Sequence, residues 1–129
     1  MKKLCLLFNH QLTAAQQSDA RRSLGVAECI SPPAAVLELW KQLPPDVVEL
    51  YPLLKPVRSW LAKTAEPGDY VLIQGDFGAV YLMIRFALKQ QLFPVYSTTR
   101  RQAVEEHLED GAVKMVHAFR HVLFRRYGI

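Results

Sequence analysis

Three clusters of polar and charged residues each follow directly after a short apolar run of the chain. Together they supply an imidazole, a carboxylate, amide donors, three hydroxyls and two guanidinium groups. Such a set suits the binding of a phosphodiester and the stabilisation of negative charge on its oxygens during reaction. The clusters are Asn9-His10-Gln11, Gln74-Gly75-Asp76-Phe77-Gly78 and Ser97-Thr98-Thr99-Arg100-Arg101.

The second cluster is the most informative, because an apolar run ends at Ile73 and a long apolar helical pattern begins after Asp76. A strand, a glycine turn and a helix in this order hold nucleotides and phosphates in open α/β sheets. Gly75 and Gly78 allow backbone N–H groups to approach a ligand closely. The turn lacks the GxGxxG fingerprint, so it predicts a phosphate or nucleotide site without naming the ligand.

Several side chains in these clusters have both a chemical and a structural interpretation. Histidine changes protonation near neutral pH, so His10 is a candidate general acid or base, or it orders its loop. Asp76 orients a ribose hydroxyl or caps the following helix. Phe77 stacks on a base or belongs to the core. Arg100 and Arg101 clamp phosphates in a bidentate manner or end a solvated loop.

The elements that position these clusters alternate between strand and helix. We predict strands over residues 2–8, 26–30, 70–74 and 92–96, and helices over 13–24, 31–43, 53–64 and the apolar run after 76. Residues 103–108 and 112–127, joined by Asp110-Gly111, predict a hairpin. The fold class is therefore α/β, a Rossmann-like three-layer sandwich with a mainly parallel sheet and a C-terminal antiparallel β-hairpin, in one domain over residues 1–129.

Ligands of such sheets bind outside the carboxyl ends of the strands, so we expect the three polar clusters to converge as loops. The helix after Asp76 is apolar nearly all round, which predicts burial on most sides by the sheet and a second subunit. Four prolines lie between Pro44 and Pro56, so residues 46–56 predict a loop with one short turn.

Composition limits the class of protein. The chain has 129 residues, 50% of them hydrophobic, and a net charge of +4, with only basic charges after Asp110. No signal peptide or membrane-spanning run is evident, so we expect a cytoplasmic protein that binds no membrane. Cys5 and Cys29 lie in predicted buried strands and are expected to be free thiols.

Metal and nucleophile chemistry find little support in the sequence. His117 and His121 lie on one strand face, but four residues of strand separate them by roughly 13 Å, and His107 adds no ligand spacing. We predict no metal and no cofactor. No Ser-His-Asp arrangement and no reactive-cysteine motif is evident.

Five segments, taken together, carry a resemblance that spans nearly the whole chain. They are Phe8-Asn9-His10-Gln11-Leu12-Thr13, Leu43-Pro44-Pro45-Asp46, residues 68–79, residues 97–101 and His121-Val122-Leu123-Phe124-Arg125-Arg126-Tyr127. They resemble a family of small CRISPR-associated proteins of type III systems. The turn at residues 74–78 and the pair Asn9-His10 are the more specific parts of this resemblance.

This family is similar to the Rossmann-fold (CARF-like) sensors of cyclic oligoadenylate, and its stand-alone relatives are similar to ring nucleases. The resemblance implies a homodimer that binds cyclic tetra-adenylate across its twofold axis. It also implies metal-independent cleavage, in which a ribose 2′-hydroxyl attacks the adjacent phosphorus and leaves a 2′,3′-cyclic phosphate. Linearising the messenger switches type III antiviral signalling off.

Our hypothesis for the site follows from strand-end position. Arg100 or Arg101 and the amides of residues 75–78 hold the phosphate, and His10 or Asp76 assists proton transfer. Asn9 and Gln74 fix the ribose or base.

Three other functions remain open from the sequence. The first is a sensor or sponge that binds the ring without cleaving it. The second is an unrelated mononucleotide enzyme using magnesium, although a Walker A motif is missing. The basic hairpin also fits an RNA-binding subunit, although we expect no long nucleic acid as partner.

Overall fold

The computed structural model describes residues Met1–Ile129 and contains one five-stranded sheet flanked by helices. A π-helical segment, Ala20–Leu24, continues the first helix. The strands are β1 (Lys2–Leu7), β2 (Val26–Ile30), β3 (Tyr70–Ile73), β4 (Phe93–His107) and β5 (Val113–Arg126), and the helices are α1 (Ala14–Asp19), α2 (Ala34–Lys41), α3 (Lys55–Thr64) and α4 (Phe77–Lys89).

The sheet has the strand order β2-β1-β3-β4-β5. The first four strands are parallel to their neighbours, and β5 runs antiparallel to β4. This arrangement confirms a mixed α/β fold with a mainly parallel sheet and a C-terminal antiparallel hairpin. The strand order reverses between β1 and β3, where Leu7 lies opposite Ile73.

Two hydrophobic clusters lie on opposite faces of the sheet, as the alternation of β1 requires. Leu4 and Leu6 belong to the cluster that Ala20 joins from the π-helical segment. Cys5 and Leu7 belong to the larger cluster, which also contains Trp40, Leu61 and Met83 from α2, α3 and α4. The free thiol of Cys5 is fully buried, whereas that of Cys29 is half-buried.

The first helix begins where the sequence predicts and changes geometry before it ends. Thr13 and Gln16 form a capping box, in which Gln16 N–H donates to the Thr13 hydroxyl at 3.2 Å. The α-helix ends at Asp19, and the chain continues as a π-helical segment up to Gly25, whose φ of 68° stops it. The predicted boundary near Leu24 is correct, but the single α-helix over 13–24 is not.

The predicted loop after a short fourth strand is wrong. β4 is 15 residues long and pairs continuously with β5 from Val95↔Arg126 to His107↔Val113, with one bulge between Ser97 and Thr99. Because β5 supplies a hydrogen-bonding partner along this whole length, Ser97, Thr98, Thr99, Arg100 and Arg101 stay in extended backbone.

The β4–β5 ladder has two parts with different surroundings. We call residues 93–99 and 121–126 the hairpin root, which packs on the body of the protein. We call residues 100–120 the outer hairpin, in which no residue is buried.

Helix α4 buries one face only. Ala79, Met83 and Ala87 are buried, whereas Tyr81 is 60% and Leu88 55% exposed. The expected burial on most sides is therefore not met within a single chain. No helix in the structure combines the length and apolar character needed to cross a membrane.

Candidate functional site at the strand-order reversal

The ends of β1 and β3 leave the sheet side by side. Leu7 and Ile73 are paired, and the N–H of Gln74 donates to the Leu7 carbonyl at 3.0 Å. From this point the chain after β1 turns to α1 on one face, while the chain after β3 turns to α4 on the other. A crevice forms at such a reversal, so two of the three polar clusters lie where open α/β sheets bind ligands.

The turn after β3 is held from below by α2. The indole Nε1 of Trp40 donates to the carbonyl of Gln74 at 3.0 Å. A Cβ atom at Gly75 would stand 3.0 Å from that same Nε1, so only glycine lets the indole seat under the turn. Gly75 therefore has a packing role in addition to any role in ligand approach.

Asp76 caps α4, which is the structural one of its two predicted roles. Its Oδ1 accepts from Ala79 N–H at 3.0 Å, and its carbonyl accepts from Val80 N–H at 2.8 Å. The amides of residues 75–78 have no acceptor within the chain. These four consecutive N–H groups stand at the start of a helix of 13 residues, a position at which helices commonly bind anions.

The side chains around this turn leave it open on the solvent side. Phe77 is 95% exposed, so it is not a core residue and its ring is free to stack on a base. His10 is exposed and touches Phe8 edge-on, with 5.5 Å between ring centroids. Gln11 is exposed as well. The Oδ1 atom of Asn9 is buried and accepts no hydrogen bond, which marks an unused acceptor at the end of β1.

Arg100 and Arg101 do not form a common clamp. Adjacent strand residues face opposite sides of a sheet, and both arginines are exposed in β4. Val95 packs in the cluster on the α1 face, so by alternation Arg101 shares that face and Arg100 shares the α4 face. Arg101 lies opposite Phe119, whereas Arg100 lies opposite Arg120.

The Arg100–Arg120 pair is a positive site that the sequence did not reveal. Like charges directly opposite each other on neighbouring strands are destabilising unless something compensates them. The pair rises from the sheet on the side that carries α4, whose N-terminus holds the free amides. A bound anion would compensate the two neighbouring positive charges.

A buried hydrogen-bonded chain joins three distant segments behind the turn. The N–H of Ser97 donates to Gln74 Oε1 at 2.8 Å, and the Ser97 hydroxyl lies 2.6 Å from His121 Nδ1. His121 Nε2 lies 2.7 Å from Asp19 Oδ2. Gln16 Nε2 also reaches the Ser97 hydroxyl, at 3.3 Å. A Ser-His-Asp arrangement therefore exists, contrary to the sequence prediction.

The geometry of this chain makes it a clamp rather than a nucleophilic site. Hydrolytic triads place serine at Nε2 and the carboxylate at Nδ1, whereas here the two ring nitrogens are exchanged. Ser97 is only 9% exposed, and the His121 side chain only 5%. The clamp fastens the hairpin root to α1 and, through Gln74, to the turn after β3.

Asp19 is ionised in this clamp. Burial on its own would raise the pKa of Asp19, but hydrogen bonds from Ser23 and His121 and the electrostatic effect of the nearby His121 and Arg22 side chains lower it below the ordinary value. The Ser23 hydroxyl donates to Asp19 Oδ1 at 2.5 Å, so both carboxylate oxygens are satisfied.

The model of the Uncharacterized protein MJ1673 family matches residues 2–125. The chain belongs to the MJ1673 family. A relative named Uncharacterized protein MJ1673, from Methanocaldococcus jannaschii, is 48% identical over 127 residues, which are 98% of each chain. No solved structure matches the chain.

In this member of the MJ1673 family, the structure brings together only part of the predicted site. Asn9, His10, Gln11 and residues 74–78 lie at the strand-order reversal, and Arg100 lies on the same side. Ser97 is buried in the clamp. Thr98 is also used structurally, since its hydroxyl donates to the Leu123 carbonyl at 3.1 Å and accepts from Leu123 N–H. Thr99 is exposed and pairs with His121.

The structure contains no cluster of side chains suited to metal ligation. No group of three or more histidine, cysteine or acidic side chains is placed to hold an ion. His117 lies in the outer hairpin, whereas His121 is committed to the clamp.

Proposed function

We propose that the protein binds a cyclic oligoadenylate, with cyclic tetra-adenylate as the expected ring, and linearises it as a metal-independent ring nuclease. In this proposal the fold is a Rossmann-like three-layer sandwich and the protein works in the cytoplasm. The segments that resemble type III CRISPR-associated proteins support it. The row of free amides at residues 75–78 is the observation that carries it.

The recognition step uses the groups at the strand-order reversal. A phosphodiester oxygen accepts hydrogen bonds from the free amides, and the dipole of α4 adds attraction. Phe77 offers a nearly fully exposed ring for base stacking. Arg100 and Arg120 contribute charge from the same side. The side-chain amide groups of Asn9 and Gln74 supply donors for a ribose or base.

The chemical step needs alignment more than a reactive side chain. The ribose 2′-oxygen forms a bond to phosphorus, the bond from phosphorus to the 5′-oxygen breaks, and a proton moves from the 2′-hydroxyl to the leaving oxygen. His10 is the candidate to carry this proton, since its ring is exposed. Asp76 has one oxygen occupied by the cap and is the weaker candidate. The amides and arginines neutralise charge on the phosphoryl oxygens.

The partner in this proposal is a second copy of the chain. Three apolar side chains share one face of the outer hairpin: Val113 is 52%, Met115 55% and Phe119 67% exposed. A two-stranded ribbon is marginally stable alone in water. Acidic residues lie near its tip and arginines near its base, so a twofold antiparallel contact would set opposite charges against each other. These residues are Glu105, Glu106, Glu109 and Asp110, against Arg100, Arg101 and Arg120.

Two measurements test the dimer. Light scattering after size-exclusion chromatography should give twice the chain mass, and Phe119→Arg should give a monomer because it places charge in the apolar face. Val48→Arg is the matched control, since Val48 is 96% exposed and lies between α2 and α3 rather than in the hairpin. A monomeric wild type contradicts the dimer.

The activity test uses cyclic tri-, tetra- and hexa-adenylate in EDTA with chromatographic separation of products. Linear products ending in a 2′,3′-cyclic phosphate are expected from cyclic tetra-adenylate. Recovery of intact ring bound to the protein would mean a sensor or sponge. If the protein neither cleaves nor binds any of the rings, the proposal is overturned and the mononucleotide or RNA alternatives are favoured.

A pair of variants at one position isolates the role of an amide. Phe77→Ala removes only the ring, whereas Phe77→Pro also removes an N–H. Proline suits the first helical position, and Asp76, with φ −57° and ψ 134°, has the backbone that precedes proline. A hydrogen bond to a charged group contributes about 1.5–3 kcal/mol, so Phe77→Pro should bind the ring at least about tenfold more weakly than Phe77→Ala. Equal affinities would remove the amides from the site.

A further inference from the structure

A cleft of about 520 Å³ opens beside β2, between the first helix and α2. It shares His10 and Gln11 with the strand-order reversal, but not the turn after β3 or any of the three arginines of the outer hairpin. Its volume lies within the range of small-molecule sites in proteins. The cleft is therefore a second candidate site.

Two departures from regular backbone meet at this cleft. Arg21 reaches it from the π-helical segment Ala20–Leu24. Ala27 and Glu28 reach it from β2, where the register shifts between Lys2↔Val26 and Lys3↔Glu28 and leaves Ala27 without a partner. Single π-helical turns and β-bulges re-aim side chains and occur often at functional sites. Their convergence on one cleft favours a binding role.

The lining of the cleft is divided by chemistry. Phe8, Leu12 and Leu37 are the larger apolar side chains of the lining, together with Leu6. Arg21 and Lys41 supply positive charge. Glu28 is the one acidic side chain among the lining residues.

Helix α2 adds hydrogen-bond donors next to the cleft. Its N-cap is Pro33, which makes no side-chain cap, and Ser31 and Pro32 just before it line the cleft. The first helical amide with an acceptor is that of Leu37, which donates to Pro33 at 3.0 Å. The amides of residues 34–36 therefore remain free for an anion.

We propose that this cleft binds a nucleoside monophosphate. The phosphate lies between the cations of Arg21 and Lys41, the base lies against the apolar part, and the Glu28 carboxylate accepts from ribose hydroxyls. The proposal does not rest on ring cleavage, because it uses neither the turn after β3 nor the outer hairpin.

Calorimetric titration of the full chain with AMP tests the site, with adenosine, ribose 5-phosphate and inorganic phosphate as comparison ligands. AMP is expected to bind at least about tenfold more tightly than each fragment, because only AMP meets both parts of the cleft. Equal affinity for ribose 5-phosphate overturns the base contact, and equal affinity for adenosine overturns the phosphate contact.

Arg21→Ala and Lys41→Ala should each weaken AMP binding about tenfold by removing a charge-assisted hydrogen bond. Arg22→Ala is the matched control, since Arg22 is the adjacent exposed arginine and does not line the cleft. Arg21 and Lys41 are exposed, so Arg21→Ala and Lys41→Ala should keep the wild-type melting temperature. No AMP binding by the wild type, or the same loss in Arg22→Ala as in Arg21→Ala, overturns the proposal. Phe77→Pro should leave AMP affinity unchanged, which separates this site from the ring site.

Discussion

The hairpin root and the outer hairpin belong to the same two strands and share their backbone pairing, yet they differ in burial and in side-chain contacts. In the root, Ser97 and His121 face α1 and form a buried chain to Asp19. In the outer hairpin, every residue is at least partly exposed. Pairing alone thus extends a strand, whereas packing decides which side chains are fixed. Arg100, which the proposed function uses, lies just beyond the point where packing stops.

The strongest test of this difference is removal of one histidine from each half. His121→Ala leaves the buried Asp19 carboxylate without its partner and should lower the free energy of unfolding by about 3 kcal/mol. His117→Ala, four residues away in the exposed half of β5, should change it by less than about 0.5 kcal/mol. Urea unfolding followed by circular dichroism measures both. Similar losses would mean that the two halves are equally fixed.

Acid should destabilise the hairpin root more than the outer hairpin. The pKa of Asp19 is lowered in the folded protein, so the stability that its ionised form contributes is present above the unfolded pKa and is lost as pH falls through the folded value. Wild type should therefore lose stability below about pH 4 more steeply than Asp19→Asn. Asp110→Asn, at the exposed hairpin tip, should follow the wild type. Parallel curves for wild type and Asp19→Asn contradict this role.

Arg100 and Arg101 lie at the boundary between the two halves on opposite faces of the sheet, so their removal should affect ligand affinity differently. Arg100→Ala should weaken cyclic tetra-adenylate binding about tenfold, because it removes a charged donor on the α4 side. Arg101→Ala should change the affinity less than about threefold, since its side chain lies on the other face. Fluorescence titration with a labelled ring measures both values. A larger effect at Arg101 would place the ligand on the α1 side.

The smallest expected effect comes from removing most of the outer hairpin. Arg101 and Phe119 are opposite each other, so an Asn-Gly turn can join them directly. Thermal unfolding of this shortened chain at low protein concentration should match that of the monomeric Phe119→Arg variant within about 0.5 kcal/mol. A large loss would show that the root depends on the outer ladder.

Much of the fold was predictable because its signals are local. The capping box at Thr13, the stop at Gly25 and the turn at Asp110-Gly111 each depend on a few neighbouring residues. The end of β4 was not predictable in this way, since Ser97 to Arg101 read as a polar loop until β5 supplies a partner. Sequence patterns record a strand's own residues and not the length of the strand that pairs with it.

The candidate site likewise has a part that local sequence predicts and a part that depends on distant residues. Asn9, His10 and the turn at residues 74–78 follow strand ends directly, so the rule for parallel sheets located them. Arg120 was missed because only the register of β4 against β5 sets it opposite Arg100. The clamp was missed because Asp19, Ser97 and His121 are far apart in sequence. An isolated His121 among strand residues carries no sign of its partners.

The clamp also has a consequence for the order of folding during synthesis. Asp19 and His121 are 102 positions apart, so their contact forms only after the last strand has left the ribosome. Strands β1, β2 and β3 and their helices are complete long before that moment. Loops of this length close slowly and late. The nascent chain therefore carries its first helix with a solvated Asp19 until β5 arrives, and docking of the C-terminal strand is the event that completes the molecule.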